Sequence, residues 1–369
     1  MKIAIMLGTR PEIIKMWSII HQLHEQKLDY LIIHTNQHYS PNMNDVFFQS
    51  LDLPLPHYNL HVGSDTQGKQ IALMLTKIKE ILEKEKPDCV MVAGDTNTVL
   101  GGALAASQLG IKIAHVEAGL RSFDSTMPEE INRILTDHLS DYLFAPTKTQ
   151  EKHLIYEGVS PQKIHIVGNT VADAVLEHLK DIKKIDYLPK HSLQKQEYFL
   201  ITIHRAENTD NKERLQKLLK SLEKVYQKYG ETLFYPIHPR TKKRIAEFKL
   251  KIPTGVILSD PLDYFEFLQL IKDAKVVLTD SGGVQEEACI LRTPCVTLRD
   301  NTERPETVEI GANIIAGTKP SKILKSIKIM MESKRDWISP FGDGNTAQKM
   351  VEIIQHDFKN KTIAPNKQE

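Results

Sequence analysis

The sequence predicts an α/β protein built as two doubly wound parallel sheets with a cleft between them. Three observations predict it. Short apolar runs alternate with longer stretches of helical period. The runs lack the in-out alternation of a half-solvated sheet, which points to strands covered on both faces. The chain of 369 residues also exceeds what one hydrophobic core usually organises.

Strands are expected at Ile3–Leu7, Tyr30–His34, Cys89–Ala93, Ile113–Val116, Tyr142–Phe144 and Ile164–Val167, with helices such as Ile13–Gln26 and Gln70–Glu85 between them. A Lys-rich, poorly periodic stretch from Leu179 to Gln196 reads as a solvated connection. A second series follows, with strands at Phe199–Ile203, Leu233–Ile237, Val256–Leu258, Val276–Thr279, Cys295–Leu298 and Asn313–Ile315.

Lys plus Arg total 48 and Asp plus Glu total 47, a net charge of +1. That balance speaks against a nucleic-acid partner, whose phosphates would call for a basic surplus. The longest apolar runs are strand-sized and fall short of the ~20 residues that cross a bilayer, so a cytoplasmic protein without a membrane partner is expected. Cys89, Cys289 and Cys295 lack CxxC spacing and read as buried thiols rather than a disulfide framework or a zinc site.

Doubly wound sheets bind ligands beyond the carboxyl ends of their strands, so the polar residues there carry the functional reading. Gly8-Thr9-Arg10-Pro11-Glu12, with Lys15 one turn on, opens a helix with two cations near its start, which suits an anion. One glycine followed by Thr-Arg-Pro is not a dinucleotide fingerprint, so no nicotinamide cofactor is expected. Asp95 follows the third strand and reads either as a functional carboxylate or as a helix cap. Glu117 stands in an apolar context that calls for a partner, either Arg121 or a neighbouring His. Glu129 lies in an acidic helix start, where carboxylates often only complement the dipole. Asp95, Glu117 and Glu129 nevertheless converge on one predicted edge, and crowded carboxylates suit acid/base work.

In the second half, successive strands deliver His204-Arg205 and His238-Pro239-Arg240. Thr279-Asp280-Ser281-Gly282-Gly283 then runs into a helix, and small residues there let backbone N–H groups approach a phosphate. Glu287 could accept hydrogen bonds from ribose hydroxyls, and Arg304 adds a cation. A diphosphate carried by a nucleotide-sugar fits this set. No metal motif of the DxD kind stands out, so neither a metal nor another cofactor is expected; Arg10, Lys15, Arg304 and a helix terminus would carry the negative charge.

GTRPEIIK, GDTNT, HVEAGLRS, MPEEINR, VGNT, HRAEN, TDSGGVQEEA and TERPE occur in this order, from Lys2 to about Gly344. Together they resemble the non-hydrolysing UDP-N-acetylglucosamine 2-epimerase family. The resemblance implies a glycosyltransferase-B-like fold of two Rossmann-like domains, 1–172 and 173–344, with a last helix over about 345–369 crossing back. It implies a homodimer that interconverts UDP-N-acetylglucosamine and UDP-N-acetylmannosamine by elimination and readdition of UDP through 2-acetamidoglucal. It also implies catalytic roles for Asp95, Glu117, Glu129 and His204, and contacts to UDP from Arg10, His204, Phe267, Ser281, Gly282, Glu287 and Arg304. HRAEN and HTNQHYSPNM are also similar to relatives that epimerise a UDP-diacetamido-glucuronate, whereas TERPE matches the N-acetylglucosamine enzymes. Many bacterial members carry a second Arg where this chain has Ala206, and their allosteric substrate site draws on residues near that loop and around Gln37 and His38.

Overall fold

The computed structural model describes residues 1–37, 48–49, 51–182 and 187–363. His38 and most of the HTNQHYSPNM segment lie outside the described residues. The chain forms two compact units, Met1–Ala174 with Phe341–Glu369, and Val175–Pro340.

In the first unit, β1 (Lys2–Leu7), β2 (Asp29–His34), β3 (Tyr58–Asn59), β4 (Cys89–Ala93), β5 (Lys112–Val116), β6 (Tyr142–Ala145) and β7 (Ile164–Ile166) form one sheet among the described residues, in the order β3-β2-β1-β4-β5-β6-β7. Every pairing is parallel, with Ile3 opposite both Tyr30 and Cys89. Alternate residues of β1 and β4, Ala4, Met6, Val90 and Val92, are buried against Met74, Ile78 and Leu82. These three lie one turn apart on the helix Gln67–Glu85, and burying each stabilises the fold by about 1.5–3 kcal/mol.

In the second unit, β8 (Tyr198–Thr202), β9 (Thr232–Pro236), β10 (Val256–Ser259), β11 (Val276–Thr279), β12 (Cys295–Thr297) and β13 (Asn313–Ile315) pair in parallel in the order β10-β9-β8-β11-β12-β13. The helix Lys212–Tyr229 shows how local sequence defines an element. The Asn211 side chain accepts from Arg214 N at its start, Gly230 ends it at φ 68°, and Leu215, Leu218, Leu219, Leu222 and Val225 form its buried stripe.

Each sheet reverses its winding once, between β1 and β4 in the first unit and between β8 and β11 in the second. Such switch points open a crevice at the strands' carboxyl ends because the flanking helices lie on opposite faces.

Three expectations need correction. β3 was not anticipated, since two residues carry no periodicity. The stretch before β8 is solvated only in part: Lys190 and Lys195 are exposed, but Thr170–Ile182 is helical, Leu188 and Leu193 are buried, and Lys190 and His191 both bind the buried Glu266 carboxylate, at 3.0 and 2.5 Å. Residues 183–186 of that stretch lie outside the described residues. In the second unit β8 and β9 begin and end one residue earlier than the apolar runs suggest, β12 ends one residue earlier and β10 ends one residue later. Cys89, Cys289 and Cys295 are buried free thiols. Among the described residues, no helix is long and apolar enough to cross a membrane.

Candidate active site

At the first unit's switch point, the turn after β1 is organised by Glu12. Its buried carboxylate accepts Gly8 N and Thr9 N, both at 2.7 Å, and Thr96 Oγ1 at 2.5 Å. Burial pushes the Glu12 carboxyl up against the opposing pull of these hydrogen bonds. The turn after β1 is thus tied to the turn after β4, and Arg10 starts the helix Arg10–Glu25 exposed to solvent.

Lys15, on the same helix, places Nζ 2.6 Å from Glu117 Oε2. Asn169 Nδ2 donates to the other Glu117 oxygen at 3.0 Å. Glu117 is 2 % exposed, so these contacts offset the cost of burying its charge. Gly94 lies between the two strand ends at φ +87°, where a Cβ would come within 2.9 Å of Lys15 Nζ; glycine is required here for both reasons.

The partners expected for Glu117 are engaged elsewhere. Arg121 binds Asp137 at 2.7 Å and Glu157 at 2.5 Å. His115 directs Nδ1 at Asp137, 2.6 Å away, and Nε2 at the Gly94 carbonyl. Burial alone would raise the Asp137 carboxyl, but His115 and Arg121 outweigh it and hold it below its ordinary range.

Asp95 is not the cap of the following helix, whose N-cap is Thr96. Its Oδ2 receives Arg133 Nη2 at 2.5 Å. Glu129 sits half-buried in the first turn of the helix Pro128–Leu139, and among the described residues no ion pair holds it.

The second unit gathers its own set at the β8/β11 switch point. Asp280 is fully buried and accepts His204 N at 3.0 Å, Arg205 N at 3.0 Å and Asn208 Nδ2 at 3.0 Å. This fixes the turn that presents His204. Desolvation, the largest effect, lowers the His204 pKa against the opposing pull of Asp280, with Arg205, His238 and Arg240 adding to the lowering, which favours the neutral ring near pH 7. His238 and Arg240, just past the end of β9, make structural contacts. His238 Nδ1 caps its own helix by accepting Arg240 N at 3.2 Å, and the Arg240 guanidinium binds Asp210.

Ser281 is the N-cap of the helix Gly282–Ile290, and its hydroxyl makes no cap hydrogen bond. The first-turn amides of Gly282 and Gly283 have no intrahelical acceptor. A Cβ on Gly282 would meet nothing closer than 3.5 Å and one on Gly283 nothing closer than 4.0 Å. Glu287, on the same helix, is pushed up to about 8, by burial first and by Glu286 second. Arg304 is buried, with Nε 2.5 Å from Glu286. Phe267 is half-buried on the helix Tyr264–Asp273.

Sequence alone did not single out Glu12, Asn132, Arg133, Asn169 or Asp280, although each stands inside a quoted motif. Their signal is polarity next to a strand end, and only the fold assigns their partners.

A model of the family described as UDP-N-acetylglucosamine 2-epimerase matches residues 21–355. The chain belongs to this family of isomerases. It is 53% identical over 363 residues to the UDP-N-acetylglucosamine 2-epimerase of Methanocaldococcus jannaschii, covering 96% of this chain and 99% of that one. A crystal structure of the M. jannaschii enzyme in complex with UDP-GlcNAc and UDP superposes with a TM-score of 0.91 at 54% identity, covering 96% of this chain and all of the other. The UDP-2,3-diacetamido-2,3-dideoxy-D-glucuronate 2-epimerase of Pseudomonas aeruginosa is 40% identical over 359 residues, covering 96% and 99% of the two chains. The paired Rossmann-like units are thus of the glycosyltransferase-B-like class.

Proposed function

We propose that this chain interconverts UDP-N-acetylglucosamine and UDP-N-acetylmannosamine by anti elimination and readdition of UDP. The observation that carries the reading is that Asp95 and Glu117, at adjacent strand ends, each face a fixed cation, Arg133 and Lys15. A neighbouring cation favours the charged form of a carboxylate, the form that accepts a proton.

C2 of the sugar is not next to a carbonyl, so direct deprotonation there would be prohibitively slow. Coupling removes the difficulty. The C2 proton passes to a carboxylate, its electron pair forms the C1–C2 double bond, and the C1–O bond breaks so that UDP leaves with both electrons. The unsaturated product is 2-acetamidoglucal. Readdition of a UDP oxygen at C1 with proton delivery to the opposite face of C2 gives the epimer, and acid/base groups on both faces are therefore needed. Asp95, Glu117 and Glu129 are the candidates, with neutral His204 beside the diphosphate.

UDP is assigned to Ser281, Gly282 and Gly283 through the helix N-terminus, to Glu287 through the ribose, to Phe267 through the uracil, and to Arg10 and Arg304 through charge. The identity to an enzyme crystallised with UDP-GlcNAc and UDP supports this substrate. A second reading, epimerisation of UDP-2,3-diacetamido-glucuronate, draws on the 40% identity to the P. aeruginosa enzyme. Proton NMR with the two substrates offered side by side tests the choice. UDP-N-acetylmannosamine forming from the first, with the uronate unchanged, is the expected result. Preferential uronate turnover selects the second reading, and free N-acetylmannosamine released at the rate of turnover overturns the non-hydrolysing reaction.

A further inference from the structure

We propose that Arg133 is a positioning residue for this reaction, holding Asp95 in place and ionised as a proton acceptor. The inference rests on the reading that Asp95 exchanges a proton with the substrate.

The helix Pro128–Leu139 carries Glu129 in its first turn and presents Asn132 and Arg133 one turn later. Asn132 Nδ2 donates to the backbone carbonyl of Asp95 at 2.9 Å, and Arg133 Nη2 donates to its carboxylate at 2.5 Å. One helix thus grips Asp95 at both main chain and side chain. Arg133 is 3 % exposed, and a buried guanidinium has to be matched by carboxylates. Its other branch, Nη1, donates to Glu130 at 2.6 Å.

Asp95 and Glu130, both bound to Arg133, differ in what else they do. Glu130 is buried and also accepts Ser122 N, Ser122 Oγ and Phe123 N, each at 2.9 Å. It therefore fixes the direction of the guanidinium. The Asp95 side chain remains 27 % exposed and is the one a substrate can reach. A planar fork held on one branch aims the other, which a lysine ammonium cannot do.

Other titratable groups sit on the elements that flank Asp95. Glu12, acting through Thr96, and Lys15 come from the helix Arg10–Glu25. Glu117 and His115 come from β5 and its end, with His115 on the Gly94 carbonyl. Glu129 and Glu130 come from the helix that carries Arg133. Four of these groups are acidic, and Arg133 is a cation in direct contact with the Asp95 carboxylate. Its removal moves Asp95 toward the protonated form.

The test is the pH dependence of kcat for full-length wild type, Arg133→Met and Arg133→Lys with UDP-N-acetylglucosamine, alongside UDP affinity and thermal melting. Arg133→Met is expected to lower kcat by ~10²-fold and to shift the acidic limb up by about one pH unit or more, with UDP affinity within about twofold of wild type. Arg133→Lys is expected to restore the limb but only part of kcat, because charge returns without the fork. An acidic limb that stays at its wild-type position in Arg133→Met overturns the role. If Arg133→Met does not fold, Arg133→Lys decides: kcat reduced at least about fivefold with the limb unmoved supports the role, and wild-type kcat overturns it. Absence of turnover in wild type would instead remove the proposed reaction and this role with it.

Discussion

Glu117 holds a left-handed backbone at φ 68°, a conformation that costs a non-glycine residue about 1–2 kcal/mol. The ion pair to Lys15 and the hydrogen bond from Asn169 stabilise it there. If Asp95 and Glu117 exchange protons with C2, Asp95→Asn and Glu117→Gln lower turnover by at least ~10²-fold while calorimetric UDP binding survives; unchanged turnover contradicts the roles. Glu287 gives a pH dependence. Its folded-state value, about 8, lies above the unfolded one, so its contribution to stability is complete below the ordinary carboxylate range and is lost as pH rises to about 8. Glu287→Gln is expected to raise Tm at pH 8 by about 3 °C or more and to flatten that slope, and a melting series across pH checks it. In wild type, UDP affinity should rise toward pH 8 as the ionised carboxylate becomes free to accept ribose hydroxyls. At this scale the sequence exposed the residues but not their partners. Lys15 and Glu117 are 102 positions apart, and the nearby Arg121 and His115, which looked like partners, answer to Asp137.

Among elements, the helix Gly282–Ile290 makes the sharpest forecast. Neither first-turn glycine is demanded by contacts within the protein, and glycine costs a helix about 1 kcal/mol relative to alanine. Gly283→Ala should therefore leave melting unchanged or raise it slightly, while weakening UDP binding by about tenfold or more through lost approach of the backbone to the diphosphate. Equal loss of stability and affinity would show that the glycine serves the fold instead. Strands such as β1 and β4 were legible because parallel strands covered on both faces are apolar throughout. β3 was not, being two residues long. In the stretch containing Lys190 and His191 charge pointed correctly to solvent for Lys190 and Lys195 but could not show that Glu266, on the helix Tyr264–Asp273, supplies a buried counter-charge to Lys190 and His191.

For the whole molecule, the chain's return to the first unit is a structural joint. Asp173 accepts Thr346 N at 3.1 Å and Ala347 N at 2.8 Å at the start of the helix Thr346–Ile363, and the Tyr142 hydroxyl donates to Asp357 further along it. Asp173→Ala removes both acceptors and should cost about 2 kcal/mol, seen as a Tm lower by about 4–8 °C with UDP affinity preserved in the second unit. The doubly wound plan followed from periodicity, and with it the switch points, which recur wherever such sheets reverse. The reaction itself rests on one claim, that a proton leaves C2 as UDP departs from C1 and another returns from the opposite face. Turnover of UDP-N-acetylglucosamine in deuterium oxide tests it most directly. Deuterium at C2 of the UDP-N-acetylmannosamine formed is the result predicted; epimer formed with hydrogen retained at C2 would contradict it.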